Sequence, residues 1–368
     1  MSQNRIKVRS PYYLKYTDSS LSYVELKLRI YSGSQTSGVS GTPKYTLKKY
    51  VRGSDTYVVF EISELIRDYI EVEFDGTHNN DPVWLYAAAE KYDSSDTKIG
   101  LTQNFYAYCY DGFTLFEEGI NYQTDTPVFI SDRVDNPASE LTIYRPSGQV
   151  IVIPVNVDKS DTNATGWKYK LFPSDGGGST DISQTSTDNS TAQIKYINLS
   201  SIYNKVEIWD EPQLLGTPSL LYTVYIEDLP CNKHENIKVT FCNRWGALQD
   251  LWFTARNIQS IKVKGENYKS SMIDFSTLTY STTEHQQQTF NKQGVEEIVL
   301  NTGLVNEDYS LWIKELLLSE KVWMNKGGTT YPITITSSNI AEKTSVNNKA
   351  FNYSIKAQYA FDKVQNIR

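Results

Sequence analysis

The chain has 368 residues and a formal net charge of −7, from 36 Lys and Arg against 43 Asp and Glu, which at about 150 residues per domain suggests two or three domains. The charges are dispersed, which argues against nucleic acid or an anionic membrane as the main partner, and no window reaches the roughly 18 consecutive apolar residues of a membrane span. The 27 Tyr, 7 Trp and 13 Phe suit pleated strands, and Tyr and Trp are enriched at protein interfaces.

Cys109, Cys231 and Cys242 are odd in number and widely spaced, so they are expected to be reduced, buried thiols rather than a disulfide framework. Met1-Ser2-Gln3-Asn4-Arg5 is followed by no apolar h-region. A soluble product of a cytosol is therefore expected.

Along the chain, Val24, Leu26, Leu28 and Ile30 alternate with Tyr23, Glu25, Lys27, Arg29 and Tyr31, the period-2 pattern of a half-buried strand. A polar, Gly-containing loop over 32–43 follows, then strands at Tyr45-Thr46-Leu47 and at 57–60. Ile62, Leu65, Ile66, Tyr69 and Ile70 change to helical spacing, with Ser63 placed to cap a short amphipathic helix. Strands resume at 83–87 and 104–110, a spacing that suggests a sandwich. Residues 127–137 read as a boundary.

Further alternation marks strands at 141–144, 150–155, 167–172, 194–209 and 220–226. The Ser, Thr, Asp and Gly of 174–193 lack apolar periodicity and predict a mobile loop. A weak echo links Phe60–Ile66 to Ile197–Ile202, too short to establish a repeat.

Ile237, Val239 and Phe241 lead into Phe241–Phe253, which reads as strand, tight polar turn and second strand. Gly246 supplies the positive φ of the turn. Strands at 260–264 and 295–300 follow. Tyr309, Trp312, Ile313, Leu316 and Leu317 predict a helix over 308–320, with Glu307 and Asp308 at its positive end. Gly327-Gly328 predicts a hairpin between 322–324 and 331–335. Phe351, Tyr353, Ile355, Ala357, Tyr359 and Phe361 form the longest clean alternation. The expected fold class is all-β, with tandem β-sandwich-like domains over 1–136, 137–229 and 230–368 and two short helices.

Chemical constellations are sparse. Cys231, His234 and Cys242 lack the fourth ligand in paired spacing that structural zinc requires. His78, His234 and His285 sit in polar stretches, with no nucleophile elbow nearby. Glu117-Glu118 and Glu296-Glu297, as neighbours on strands, would point to opposite faces, unlike a glycosidase pair. Gly176-Gly177-Gly178 lacks the Lys-Ser/Thr of a phosphate loop. No enzyme, cofactor or metal is expected. The candidate packing or subunit-contact residues are Arg244, Trp245, Trp252, Trp312 and Trp323. Exposed Trp and Tyr stacking on sugars, as in a glycan-binding adhesin or tail-fibre module, is the rival reading, although burial is the commoner fate of such rings.

The pattern Phe241-x-Asn243-Arg244-Trp245-Gly246-Ala247-x-Gln249-x-x-Trp252-Phe253 resembles one in tail-region virion proteins of phages infecting Bacteroidetes, including crAss-like phages. So do Leu300-Asn301-Thr302-Gly303, Ile313–Trp323, and the ending from Lys343-Thr344 through Asn352-Tyr353-Ser354-Ile355 to Tyr359-Ala360-Phe361-Asp362. The resemblance lies mainly in 231–368. It implies a non-enzymatic virion subunit forming a ring of the head–tail connector, collar or tail. Its partners would be copies of itself in a sixfold or twelvefold cycle and adjacent portal, ring, collar or tail proteins. Nucleic acid would be met only in passage through the lumen.

Overall fold

Alternating apolar residues dominate the chain, and strands account for 56% of the structure against 6% helix. The computed structural model describes residues 4–32, 41–79, 82–119, 121, 139–157, 164–185, 193–212, 219–229, 233–306, 309–339 and 351–364. Most of the loop expected over 32–43, the boundary expected at 127–137, Glu307, Asp308, Cys231 and Lys343-Thr344 lie outside the described residues.

The first unit contains β1 (Asn4–Lys7), β2 (Tyr13–Thr17), β3 (Tyr23–Ser32), β4 (Tyr45–Tyr50), β5 (Tyr57–Glu61), α1 (Ser63–Arg67), β6 (Val83–Tyr92) and β7 (Lys98–Tyr110). One sheet has the order β1-β7-β6-β3-β4, and β2 and β5 pair as a separate ribbon. The expected face of β3 is buried: Val24, Leu26, Leu28 and Ile30 pack with Leu14 and Phe60 of the ribbon and with Ile62 and Ile66 beside it. Each such side chain contributes roughly 1.5–3 kcal/mol by leaving water. The helix is shorter than predicted, and Ser63 is its first residue rather than its cap. The Ser63 backbone N–H donates to Glu61 Oε1 at 2.9 Å, and the Ser63 hydroxyl donates to the same oxygen. A carboxylate at that end opposes the helix dipole.

The second unit contains β8 (Ser139–Pro146), β9 (Ile151–Val157), β10 (Ala164–Pro173), β11 (Thr180–Thr185), β12 (Gln193–Leu199), β13 (Tyr203–Pro212) and β14 (Ser219–Leu229). Its sheet has the order β11-β10-β13-β14-β8, with β12 and β9 as the ribbon. The stretch expected as a loop over 174–193 is therefore partly strand. β11 pairs antiparallel with β10 at the sheet edge, where main-chain bonds hold a polar strand that has no apolar face to announce it.

Counted within each unit, the strand order is the same: first-seventh-sixth-third-fourth in the sheet and second-fifth in the ribbon. The first and seventh strands pair parallel in both. Third, sixth and seventh strands adjacent, facing a second–fifth pair, is an arrangement shared with immunoglobulin-like sandwiches. The echo between Phe60–Ile66 and Ile197–Ile202 falls on the fifth strand and the turn after it in each unit. A topological repeat thus underlies that short similarity.

The third unit contains β15 (Ile237–Cys242), β16 (Leu248–Phe253), β17 (Ile258–Lys269), β18 (Gln287–Asn301), α2 (Tyr309–Leu318), β19 (Val322–Lys326), β20 (Thr329–Ile335) and β21 (Ser354–Tyr359). They form one sheet in the order β16-β15-β19-β20-β21-β18-β17. Gly327 and Gly328 turn the β19–β20 hairpin at φ +58 and +82, the backbone of a type I′ turn. α2 buries Tyr309, Trp312, Ile313 and Leu316, and also Glu315, while Leu317 is only half-buried. Phe351, Tyr353, Ile355, Ala357 and Tyr359 are buried in alternation, but Phe361 is 43% exposed. The chain leaves the sheet at Ala360, whose N–H bonds the Pro332 carbonyl.

The core does not divide where the sequence suggests a boundary near 229. A single apolar cluster runs from Ile151, Ile153 and Leu199 through Phe241, Leu251 and Phe253 to Trp312 and Ile355. β16 packs against β8 and β9, and the rings of Tyr144 and Tyr309 meet edge to face at 5.9 Å. The first unit keeps a separate core and joins the other two through smaller clusters around residues 242–248.

Candidate assembly site

The turn between β15 and β16 is built by Asn243. Its N–H donates to the Ala247 carbonyl at 2.8 Å, and its Oδ1 accepts from the N–H groups of Trp245 and Ala247, both at 3.0 Å. Its Nδ2 donates to Gln249 Oε1 at 3.0 Å. Asn is favoured in turns because its side chain supplies such backbone bonds. Gly246 adopts φ +80 as expected.

This turn lies inside the protein. Arg244 and Trp245 are each 3% exposed. Arg244 Nη2 donates to Glu118 Oε1 at 2.7 Å, its backbone N–H donates to Glu315 Oε2 at 3.3 Å, and its carbonyl accepts from Phe113 N–H at 3.0 Å. Trp245 packs with Trp84, Tyr108, Tyr110 and Ile194. Lys7 Nζ lies 3.9 Å and Arg244 Cζ 4.8 Å from its ring centroid, distances at which cation–π attraction operates. The surface-turn reading of Arg244 is thus corrected: the sequence shows a polar turn but not the first unit that closes over it. Both side chains are engaged within the chain. Trp252 and Trp312 are also buried, Trp323 is half-buried, and no described Trp is among the exposed large apolar residues.

Glu315 and His78 were not singled out by sequence. His78 belongs to a polar stretch, yet its Nε2 lies 2.9 Å from Asp250 Oδ1 with both side chains nearly sealed from solvent. Burial pushes the Asp250 carboxyl up, but the His78 and Thr240 hydrogen bonds and the charges of His78 and Lys238 outweigh it and hold the carboxyl below its ordinary value. The thiols of Cys109 and Cys242 are driven upward by burial, which keeps them protonated and poorly nucleophilic. Glu117 and Glu118 occupy a short 3₁₀ turn rather than a strand. Glu296 pairs with Lys363. Among the described residues no group of three or more His, Cys, Asp or Glu side chains is placed to hold a metal ion.

The feature that distinguishes the surface is an arm. β17 and β18 run in register from Ile258↔Val299 to Lys269↔Gln287. β21 supports β18 over Glu297–Asn301, and the main chain at Lys363 reaches Gly294. Beyond Val263↔Gly294 the two strands project with neither face covered, for roughly 20 Å along β17 at the usual rise. Every residue of β17 is exposed. Ile258, Ile261, Val263, Tyr268, Ile273, Phe275, Leu278, Tyr280 and Phe290 are nine of the twenty-three exposed large apolar residues among the described residues. They concentrate exposure in one element, with Phe275 at 79% and Leu278 at 80%. Sequence places strands here but not their isolation. The available signal was the loss of apolar alternation after Val263.

Around the root of the arm, His234, Glu235, Ile237, Arg256, Asn257, Gln259 and Lys326 line an open cavity of about 220 Å³. No family model matches the chain, and no curated protein matches it.

Proposed function

We propose that this chain is a non-enzymatic virion subunit of a tailed phage. Copies of it close a ring in the head–tail connector, collar or tail and hold neighbouring virion proteins there. The arm carries this reading. A two-stranded ribbon without a covering layer is marginal by itself, and concentrated apolar exposure marks an interaction surface. An arm that docks on a different surface of the next copy makes a head-to-tail contact, which closes into a ring when the rotation permits. The resemblance around Phe241–Phe253 adds the phage setting.

The buried side chains of the β15–β16 turn support the same reading from the other side. They join the first unit to the rest of the chain and so give the arm a firm base. Negative-stain images and light-scattering mass of the purified full chain test the proposal. Rings of one stoichiometry are expected, and a monomer at the highest soluble concentration overturns it.

A further inference from the structure

We infer that the free edge of β17 in one copy pairs as an added strand with residues 71–75 of the next copy, matching Lys262 and Lys264 to Glu71 and Glu73. This rests on the reading of the chain as a self-assembling subunit and names the surface that receives the arm.

Residues 71–75 follow α1 without forming a strand. Their burial nevertheless has strand periodicity: Val72 and Phe74 are 4% and 7% exposed, while Glu71, Glu73 and Asp75 are exposed. The main chain of 71–75 makes no hydrogen bond to another described residue. A segment held by its side chains with its amides unpaired is a template for strand addition. Its attachment is firm, because the Phe74 ring lies 5.7 Å from Trp323 of β19 and 5.1 Å from His78, which is bonded to Asp250 of β16.

The donor is complementary in form and charge. β17 is an edge strand of the seven-stranded sheet, and its outward side has no partner strand in the chain. Lys262 and Lys264 are exposed and two residues apart, hence on one face of β17. Glu71 and Glu73 have the same spacing and are exposed together. Opposite charges across paired strands attract, and the basic edge belongs to a chain whose net charge is −7. The two surfaces also lie apart within one copy. Segment 71–78 is fixed over the β16 and β19 side of the sheet, whereas β17 is the opposite edge. Six strand spacings of about 4.8 Å separate β16 from β17, so donor and acceptor suit head-to-tail contact between copies.

Sedimentation velocity of the full chain tests this with two charge-reversed variants, Lys262→Glu/Lys264→Glu and Glu71→Lys/Glu73→Lys. The substituted side chains are exposed, so each variant is expected to melt with the wild type. The wild type is expected to assemble, each variant alone to sediment as a monomer, and an equimolar mixture to regain assemblies containing both in equal amounts. Variants that assemble as the wild type does, or a mixture that stays monomeric, overturn the pairing while leaving self-assembly intact. A monomeric wild type overturns the subunit reading itself.

Discussion

His78 Nε2 donates to Asp250 Oδ1 across 2.9 Å, linking the segment after α1 to the middle of β16. Thr240 Oγ1 donates to the same oxygen at 2.6 Å, and Lys238 Nζ lies 3.4 Å from the other. The folded-state carboxyl is held below its ordinary value of 3.8. The unfolded chain therefore takes up this proton first as pH falls. The stabilisation from Asp250 is complete above the ordinary carboxylate value and is lost as pH drops through the depressed folded value. Asp250→Ala should cost about 3–5 kcal/mol near neutrality, the range for breaking a buried pair, and should flatten the acid limb. Urea unfolding from neutral pH downward measures both effects.

Gly246 is needed for space as well as for φ. A Cβ there would lie 2.7 Å from Tyr110 Cβ and 3.1 Å from the Asp111 nitrogen. Gly246→Ala should cost about 3 kcal/mol, combining left-handed strain with overpacking. Gly53 also has positive φ, but nothing lies within 4 Å of its added Cβ. Gly53→Ala should cost only about 1 kcal/mol. Comparing their unfolding midpoints separates the two causes.

Arg145 is 1% exposed and has a full set of acceptors. Nε donates to Asp228 Oδ1 at 2.7 Å, Nη1 to the Ser200 carbonyl at 3.0 Å, and Nη2 to the Ser201 and Tyr203 carbonyls at 2.9 and 2.8 Å. One planar fork thus organises the turn between β12 and β13. Arg145→Lys is not conservative at such a site and should destabilise by about 2–4 kcal/mol by stranding buried acceptors. Chemical denaturation followed by tryptophan fluorescence is the measurement.

Trp252 is 6% exposed within the core shared by the second and third units. Trp252→Ala should cost about 3–5 kcal/mol and lower the melting temperature of both units together. Separate transitions in calorimetry would show that the shared cluster does not couple them.

The distal arm makes no contribution to these cores. Replacing residues 264–292 by an Asn-Gly turn should leave the melting temperature within about 2 °C of the full chain, since surface changes away from packed features stay within roughly 0.5 kcal/mol. A large fall would place the arm among the stabilising elements.

Period-2 alternation made β3 and most of β21 legible, and helical spacing identified α2, because each has one face turned to a core. β11 was hidden because its polar sequence is held by main-chain pairing with β10. The exposed distal half of the arm was hidden for a related reason: strand propensity does not say whether another layer will cover the strand. In the β15–β16 turn, the roles of Asn243 and Gly246 follow from local geometry. The burial of Arg244 and Trp245 depends on residues more than one hundred positions earlier, such as Glu118 and Tyr110. His78 and Arg145 carry no local pattern because their partners are distant side chains and carbonyls.

The sheet order has a consequence for synthesis. β18 meets the rest of its sheet only through β21, and Ser354, where β21 begins, comes more than fifty residues after Asn301. A ribosome completes both strands of the arm before it makes the strand that fastens them. Any chain halted before Ser354 carries the arm without its anchor, so translation itself orders the steps: the joint can become rigid only after nearly all of the body has been made.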